Sequence, residues 1–381
     1  FREGSGAIGN YARYSLRRLE GILNSGPSGF VPSVDEIQAY KERPPILATI
    51  ELVDGTPLTE DLPITPDLNV SKVLDICTHF MELQDPRMSY FGIFVEDVNS
   101  SEGDEAVLNP LGSSTGDSDA AKVEALKKTP RPLQSENFMG DVVTVKVRQG
   151  QAFKFVFKRK IYLRHMDEPS DDAMYERLVY LQACDEVIIG NIPISTKEEV
   201  AKLVAQAIAI DLGDEIPTDA DELVEADLEE YIPIPWRKKM PMEEWAELVL
   251  THRDEVLSED AEDLQTSFVE EIRSHPLYGT LVFNVRKHTF PEAMKAFPEY
   301  LIVGFNSEGL HFLNEERETL ASFGYADIYR WGGSSSQFSI IIWNSETQDT
   351  DDVSMFTSQA ADMASLILDY ITAIMATTES Q

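Results

Sequence analysis

Positive charge is what this chain has least of. Across 381 residues there are 32 Lys and Arg against 67 Asp and Glu, a net charge of −35. A field of that sign repels nucleic acid, anionic lipid headgroups and the acidic surface of microtubules, and it favours basic partners. Nucleic acid is therefore excluded as a partner, membrane contact is at most peripheral and microtubule binding is disfavoured. Solubility alone accounts for most of the acidic residues. Cysteine is nearly absent. Cys77 and Cys184 both fall inside apolar helical patterns, as buried, reduced thiols in a cytosolic protein do. Six scattered histidines make no ligand-spaced set with them, so no metal site is expected. There is no run of about eighteen apolar residues, hence no expected membrane span. The N-terminus, Phe-Arg-Glu-Gly-Ser-Gly, has no apolar signal core and no initiator methionine, and a piece of a longer protein is the expectation.

Catalytic motifs are also missing. No phosphate-binding loop and no serine nucleophile elbow occur. Gly4, Gly6 and Gly9 have dinucleotide-fingerprint spacing, but only three residues precede them, too few for the strand that motif needs. Asp219 and Asp221 begin like a calcium loop, yet its glycine and terminal glutamate are lacking. Asp211–Glu230 is better explained as a solvated acidic helix. Carboxylate pairs are too abundant for any one to mark acid–base catalysis. No catalytic residue, metal or cofactor is assigned, and this chain is not expected to be an enzyme.

What is present is a sequence of three patterns, fitting the two or three domains expected of this length. Asn10–Leu23 reads as a short amphipathic helix broken by Gly26-Pro27-Ser28-Gly29. Ile46–Val53 and Pro57–Ile64 read as strands about Asp54-Gly55, a type I′ hairpin signal. Asn69 is placed to cap a helix sharing Val70, Val73, Leu74, Cys77 and Phe80 on one face. Tyr90–Glu96 is a further strand. Asn99–Ala121, rich in Gly, Ser and acid, reads as a mobile loop. Phe153, Phe155 and Phe157 then alternate with Lys154 and Lys158, core against water, in a strand region running to Leu163.

From Pro169 to Ser274 the period becomes helical. Candidate helices are Asp171–Val187, one opened by the capping box Ser195-Thr196-Lys197-Glu198 and ending near Gly213, Ala220–Tyr231, one starting after Pro241 and bearing Trp245, and one after Ser258. From Pro276 onward seven strands follow: Leu281–Lys287, Tyr300–Asn306, Leu310–Asn314, Thr319–Phe323, Asp327–Trp331, Phe338–Trp343 and Val353–Phe356. Their turns include Ser307-Glu308-Gly309 and Gly332-Gly333-Ser334. Thr357 or Ser358 then caps a helix with Ala360, Met363, Ala364, Ile367, Tyr370, Ile371 and Ile374 on one face.

A small sheet roofed by a C-terminal helix resembles domains of the pleckstrin (PH) and phosphotyrosine-binding (PTB) type. Hairpin, helix, strand resembles a ubiquitin-like opening. With the helical segment between them, the order resembles a FERM domain, and local phrases agree: Phe153–Leu163, Tyr180–Gly190, Ser195–Ala207, Gly304–Phe312 and Leu368-Asp369-Tyr370-Ile371. Ile8–Leu19 resembles the last helix of a myosin-tail-homology-4 (MyTH4) domain, and Pro32–Ile37 followed by Ile46–Gly55 resembles the junction into FERM. That tandem occurs in unconventional myosin tails, notably class VII, and in some plant and protist kinesins.

The resemblance implies an α+β, three-lobed FERM cloverleaf: 1–30 the MyTH4 end and linker, 45–165 a ubiquitin-like lobe with the inserted loop 99–121, 166–275 a helical-bundle lobe, and 276–377 a PH/PTB-like β-sandwich lobe with its C-terminal helix. It implies a non-catalytic cargo-binding tail in the cytoplasm, at the cytoskeleton or cell cortex. Its partners would be adhesion-receptor cytoplasmic tails or adaptors, and intramolecularly the motor head in autoinhibition. A kinesin tail, or the regulatory FERM module of a membrane–cytoskeleton linker or tyrosine kinase or phosphatase, are the alternatives. The candidate peptide groove carries Tyr329, Arg330 and Trp331 on a strand and Ile367 and Ile371 on the helix wall; core packing is the competing reading for the apolar ones. Lys158, Arg159, Lys160, Arg237, Lys238 and Lys239 are the candidate contacts for an acidic ligand, against local pairing with acidic neighbours.

Overall fold

The computed structural model describes residues 46–65, 67–98, 129–150, 152–163, 170–344 and 348–379, with a few isolated positions before residue 46. The loop expected at 99–121 lies outside these described residues, and the helix expected at Asn10–Leu23 almost wholly so. The chain divides into two compact units. The described parts of the first are 46–84, 91–98 and 130–158; those of the second are 85–90, Thr129 and 159–379.

The first unit is a mixed five-stranded sheet with helices. Its strands are β1 (Ile46–Glu51) and β2 (Pro57–Ile64), followed by helix α1 (Val70–Phe80), then β3 (Phe91–Asp97), β4 (Arg131–Pro132), helix α2 (Met139–Gln149) and β5 (Phe153–Arg159). The strand order is β2-β1-β5-β3-β4, with β1 antiparallel to β2 and parallel to β5. Asn69 caps α1 through its side-chain oxygen, which accepts from the Lys72 amide at 3.1 Å. Val70, Val73 and Cys77 are buried as their spacing predicts, whereas Phe80 is 65% exposed. Phe80 is the last residue of the helix.

Three features of this unit differ from the sequence reading. The β1–β2 loop is not type I′: Gly55 has φ +82°, but Asp54 is not left-handed, and type I′ needs both. The Gly55 amide donates to Leu52 O, and the Asp54 carboxylate accepts from Thr56 N, giving a three-residue loop. Lys158 does not face water. It is 5% exposed, 3.3 Å from Glu96 and 4.9 Å from the centre of the Phe94 ring. Both faces of β5 are covered, Val156 being as buried as Phe155 and Phe157, so the lysine on the Val156 side is buried with a counter-charge. Helix α2 was not anticipated, because Val-Val-Thr-Val-Lys-Val-Arg alternates like a strand.

In the second unit, helices α3 (Ala173–Ile188), α4 (Lys197–Leu212), α5 (Ala220–Glu225), α6 (Leu228–Tyr231), α7 (Ile234–Arg237), α8 (Met242–Leu250), α9 (Arg253–Val256) and α10 (Ala261–Arg273) precede a seven-stranded sheet. The capping box lies one residue later than expected. Thr196, not Ser195, caps α4, and its partner is Glu199, whose carboxylate accepts from Thr196 N. The expected single helix Ala220–Tyr231 is broken where Asp227 turns left-handed at φ +56°. Trp245 is fully buried among these helices, edge-to-face with Trp236 at 6.1 Å.

The strands are β6 (Leu281–Thr289), β7 (Tyr300–Asn306), β8 (Gly309–Leu313), β9 (Thr319–Phe323), β10 (Ile328–Gly333), β11 (Gln337–Asn344) and β12 (Asp349–Phe356), before helix α11 (Ala360–Glu379). They pair antiparallel in the order β10-β11-β12-β6-β7-β8-β9. Gly332 and Gly333 belong to β10, and the turn falls beyond them, where Ser334 N donates to Gln337 O. Thr357 supplies the hydroxyl ahead of α11, accepting from Gln359 N at 3.1 Å. Ala360, Met363, Leu366, Ile367 and Tyr370 are all fully buried against the sheet. By length and composition, Ala360–Thr377 is also a helix long and apolar enough to cross a membrane, which the sequence reading missed because Asp362 and Asp369 interrupt the run. One face of it is core of this unit.

Two places tie the second unit together. Asp85 receives the Arg87 guanidinium at 2.9 and 2.6 Å and the Ser170 hydroxyl, while its amide donates to Asp172, the N-cap of α3. Between helices and sheet, Tyr162 stands edge-on to Tyr278 at 5.2 Å, and a Cβ on Gly279, at φ +66°, would collide with the Tyr162 ring.

Gly279→Ala is expected to cost about 2–4 kcal/mol, from a left-handed backbone plus overpacking, and to lower the thermal unfolding temperature of the intact chain. The Arg87 guanidinium, with help from Ser170, holds the Asp85 carboxyl well below the usual carboxylate range. A depressed folded value contributes stability above the unfolded pKa of about 3.9 that is lost as pH falls through the folded value. Thermal scans should therefore show Asp85→Asn less stable than the parent at pH 7, with the gap narrowing below about pH 4.

Candidate functional site

Strand β10 is an edge strand, with β11 as its ladder partner among the described residues. The side of β10 that faces the core meets α11. The Trp331 indole donates to Ala364 O at 3.1 Å, fixing this ring on the helix. At Gly333 the two elements touch more closely still: a Cβ there would lie 2.5 Å from the Ala360 Cβ. Toward the other end, Tyr325 stacks on Tyr370 at 5.6 Å, and its hydroxyl donates to Asn306 O. The strand–helix contact is therefore closed by direct backbone approach at Gly333 and by the Trp331 and Tyr325 rings further along. What remains accessible is the outer edge of β10 and the rim of α11.

The five predicted groove residues separate into three groups. Tyr329 and Arg330 are exposed and point away from α11. Ile328 and Trp331 both pack into the core cluster, and a register irregularity between Ile328 and Arg330 turns the two residues after Ile328 outward. Trp331 is half-buried on the helix. Ile367 is fully buried and offers no surface to a ligand, while Ile371 is half-buried at the margin of the same cluster. The structure thus packs Trp331 and Ile371 against the same core cluster, Trp331 about two helical turns before Ile371 along α11, and puts Tyr329 and Arg330 on the opposite face. Tyr329 lies 6.0 Å from Trp343 of β11, ring centre to ring centre.

Sequence reasoning passed over Trp343 and Ile341. Their signal was present: in Phe338–Trp343 the core positions are Phe338, Ile340 and Ile342, so Ile341 and Trp343 stand as large apolar residues at outward positions. It also passed over Gln359. The Gln359 side-chain amide accepts from Thr129 N and donates to Thr129 O, both at 3.0 Å, pinning the Thr129 backbone at the start of α11.

The predicted basic residues do not form one exposed patch. Lys158 is paired with Glu96. Arg159 is 1% exposed, with its Nε donating to Ile161 O and its guanidinium 4.4 Å from the centre of the Tyr162 ring. Lys160 pairs with Asp369 of α11 at 3.1 Å. Arg237 donates to Ile232 O. Lys238 and Lys239 are exposed, and the Lys239 ammonium sits 3.5 Å from the Trp236 ring centre. Burial pushes the thiols of Cys77 and Cys184 up to about 12, so neither is a ready nucleophile. Among the described residues, no three His, Cys, Asp or Glu gather to hold a metal.

Comparison with known proteins agrees with this geometry. A FERM central domain matches residues 167–283, and a PTB domain of the IRS-1 type matches residues 283–375. FERM domain-containing protein B of Dictyostelium discoideum is 26% identical over 196 residues, 50% of this chain and 40% of its own length. Kinesin-like protein KIN-14I of Oryza sativa is 28% identical over 186 residues, covering 48% of this chain and 14% of its own. Myosin-VIIa of Drosophila melanogaster is 20% identical over 336 residues, covering 87% and 14%. The chain therefore spans well under two thirds of these relatives. Among solved structures, the MyTH4-FERM MF1 domain of Dictyostelium discoideum myosin VII superposes with a TM-score of 0.70 at 16% identity, covering 98% of this chain and 68% of that one. The human myosin 7b C-terminal MyTH4-FERM domain, solved in complex with the harmonin-a PDZ3 domain, gives 0.67 at 18% identity, covering 94% and 66%. The fold is the FERM fold, ending in a PTB-like sheet with a C-terminal helix.

The division of the groove residues has a measurable consequence. Ile367→Ala should destabilise by about 2–5 kcal/mol, as a core truncation does. Tyr329→Ala, at an exposed position, should change stability by about 0.5 kcal/mol or less. Chemical denaturation of both variants checks the contrast.

Proposed function

We propose that this chain, a FERM module by fold and by its matched central and PTB-type domains, is the non-catalytic cargo-docking tail of an unconventional myosin. The open edge of β10 beside the α11 rim is the observation that carries the docking reading. An extended peptide adds to such an edge through main-chain hydrogen bonds, and side chains along the rim, here Trp331 and Ile371, select it. FERM and MyTH4-FERM domains are in general protein-interaction modules rather than enzymes. The myosin reading is favoured over a kinesin tail by coverage: the class VII myosin match runs through 87% of this chain, the kinesin match through 48%. The kinesin tail remains the second reading, supported by the higher identity of that shorter match.

In this reading the working segments are 45–165, 166–275 and 276–377, and the cargo is an adhesion-receptor tail or an adaptor, held at the actin-rich cortex. The motor head is a further, intramolecular partner, attracted as a basic surface would be by a net charge of −35. The lysines and arginines first offered as acidic-ligand contacts are mostly engaged internally, so an anionic headgroup is not the principal ligand in this scheme.

Affinity measurements with a panel of adhesion-receptor and adaptor peptides test the proposal on the intact chain. A binding peptide should weaken about tenfold or more with Ile371→Asp, and should be unaffected by Lys238→Ala with Lys239→Ala. Absence of binding across a broad panel, or binding that survives Ile371→Asp undiminished, would sink it.

A further inference from the structure

The outward face of β10, β11 and β12 carries an arrangement that the edge-docking reading does not use. Ladder register aligns Arg330 with Ile341, and Ile341 with Asp352, in one row across three strands. The neighbouring row holds Trp343 opposite Thr350, with Tyr329 against the Trp343 ring at 6.0 Å. Strand spacing puts Arg330 and Asp352 about 10 Å apart, with Ile341 between them. Tyr329 is 64% exposed, Ile341 and Trp343 are half-buried, and Arg330, Thr350 and Asp352 are exposed.

A solvent-facing antiparallel sheet ordinarily presents polar side chains at these positions. Here two aromatic rings and an isoleucine form a plateau with one cation on the β10 side and a carboxylate, Asp352, on the β12 side. Aromatic residues that keep a polar tip are the side chains that dominate protein–protein interfaces. We propose that this plateau is a second docking surface, distinct from the β10 edge, for a protein segment in trans that sets a large apolar side chain on Tyr329–Trp343 and a Lys or Arg over Asp352. The charge argues for this occupant. A chain of net charge −35 repels a second copy of itself and anionic lipid, and draws a cationic segment toward its carboxylates. Arg330 on the opposite side of the plateau sets direction: a partner reversed across the strands brings its cation against the guanidinium.

Selection from a random peptide display library against the intact chain tests this, with Trp343→Thr, Asp352→Asn and Ile371→Asp as separate counter-targets. Trp343→Thr keeps a strand-forming residue, and Asp352→Asn alters only charge at an exposed position, so both retain the fold, checked by circular dichroism. The expected result is a class of peptides with an aromatic or long aliphatic residue next to Lys or Arg. These bind about tenfold or more weakly to Trp343→Thr, lose salt sensitivity on Asp352→Asn and are unchanged by Ile371→Asp. Failure of the edge-docking reading leaves this class untouched, and the reverse also holds. The proposal is overturned if the enriched peptides are acidic, or if Trp343→Thr binds every enriched class as the parent does. It is equally overturned if sedimentation shows a dimer of this chain that Trp343→Thr dissolves, or if anionic vesicles bind the parent and not that variant.

Discussion

The packing of α11 across the sheet is the constraint on which the rest of the C-terminal architecture depends. Five of its side chains, Ala360, Met363, Leu366, Ile367 and Tyr370, are wholly withdrawn from water. The larger ones contribute on the order of 1.5–3 kcal/mol each by burial alone. Contact at Gly333 is possible because no Cβ stands between the strand and Ala360, and the Trp331 indole then finds its hydrogen-bond partner on the Ala364 carbonyl. Once the helix sits this close, β10 has no room on its inner side for a ligand. Its remaining resources are the unpaired edge and the outward face, and the two functional readings follow from those two surfaces.

Electrostatics is arranged by the same economy of cations. Lys146 reaches Asp97, Lys158 reaches Glu96, Lys160 reaches Asp369, Lys202 reaches Glu271, and Arg87 reaches Asp85. Several of these cations are buried or nearly so, and a buried charge needs its partner more than a solvated one does. These basic residues are therefore committed to internal structure, and with 67 Asp and Glu against 32 Lys and Arg the chain's field is dominated by carboxylates. An acidic surface so produced discriminates by repulsion as much as by attraction: it turns away polyanions before any specific contact forms.

How far the sequence disclosed this can be followed residue by residue. All seven strands of the C-terminal sheet, the C-terminal helix and its core face were legible, because period-2 and period-3.6 burial was strong there and turns were well marked. Helix α2 was not, since its valines occupy alternate positions and the burial of Met139, Val142 and Lys146 comes from its place in the first unit, not from its own pattern. The capping box was legible to within one residue: Ser195 and Thr196 are both competent hydroxyls, and only the tertiary position of the first turn chooses Thr196 and Glu199. At the site, Tyr329, Arg330 and Trp331 read as one strand, but the irregularity after Ile328 sets which of them faces the helix, and nothing in composition encodes it.

That irregularity explains more than a misplaced pair of residues. In a regular strand Tyr329 and Arg330 point to opposite faces, and with Ile328 inward Arg330 takes the helix side while Trp331 turns outward. With the shift, both turn outward, the guanidinium avoids an apolar interface where it has no counter-charge, and Trp331 lies over α11. The tyrosine is delivered to Trp343, whose own outward position looked anomalous in an otherwise alternating strand. One extra residue in a ladder therefore closes the core on one face and assembles an aromatic pair on the other. Register, more than residue type, determines which side chains β10 presents to the helix and which to the outward face.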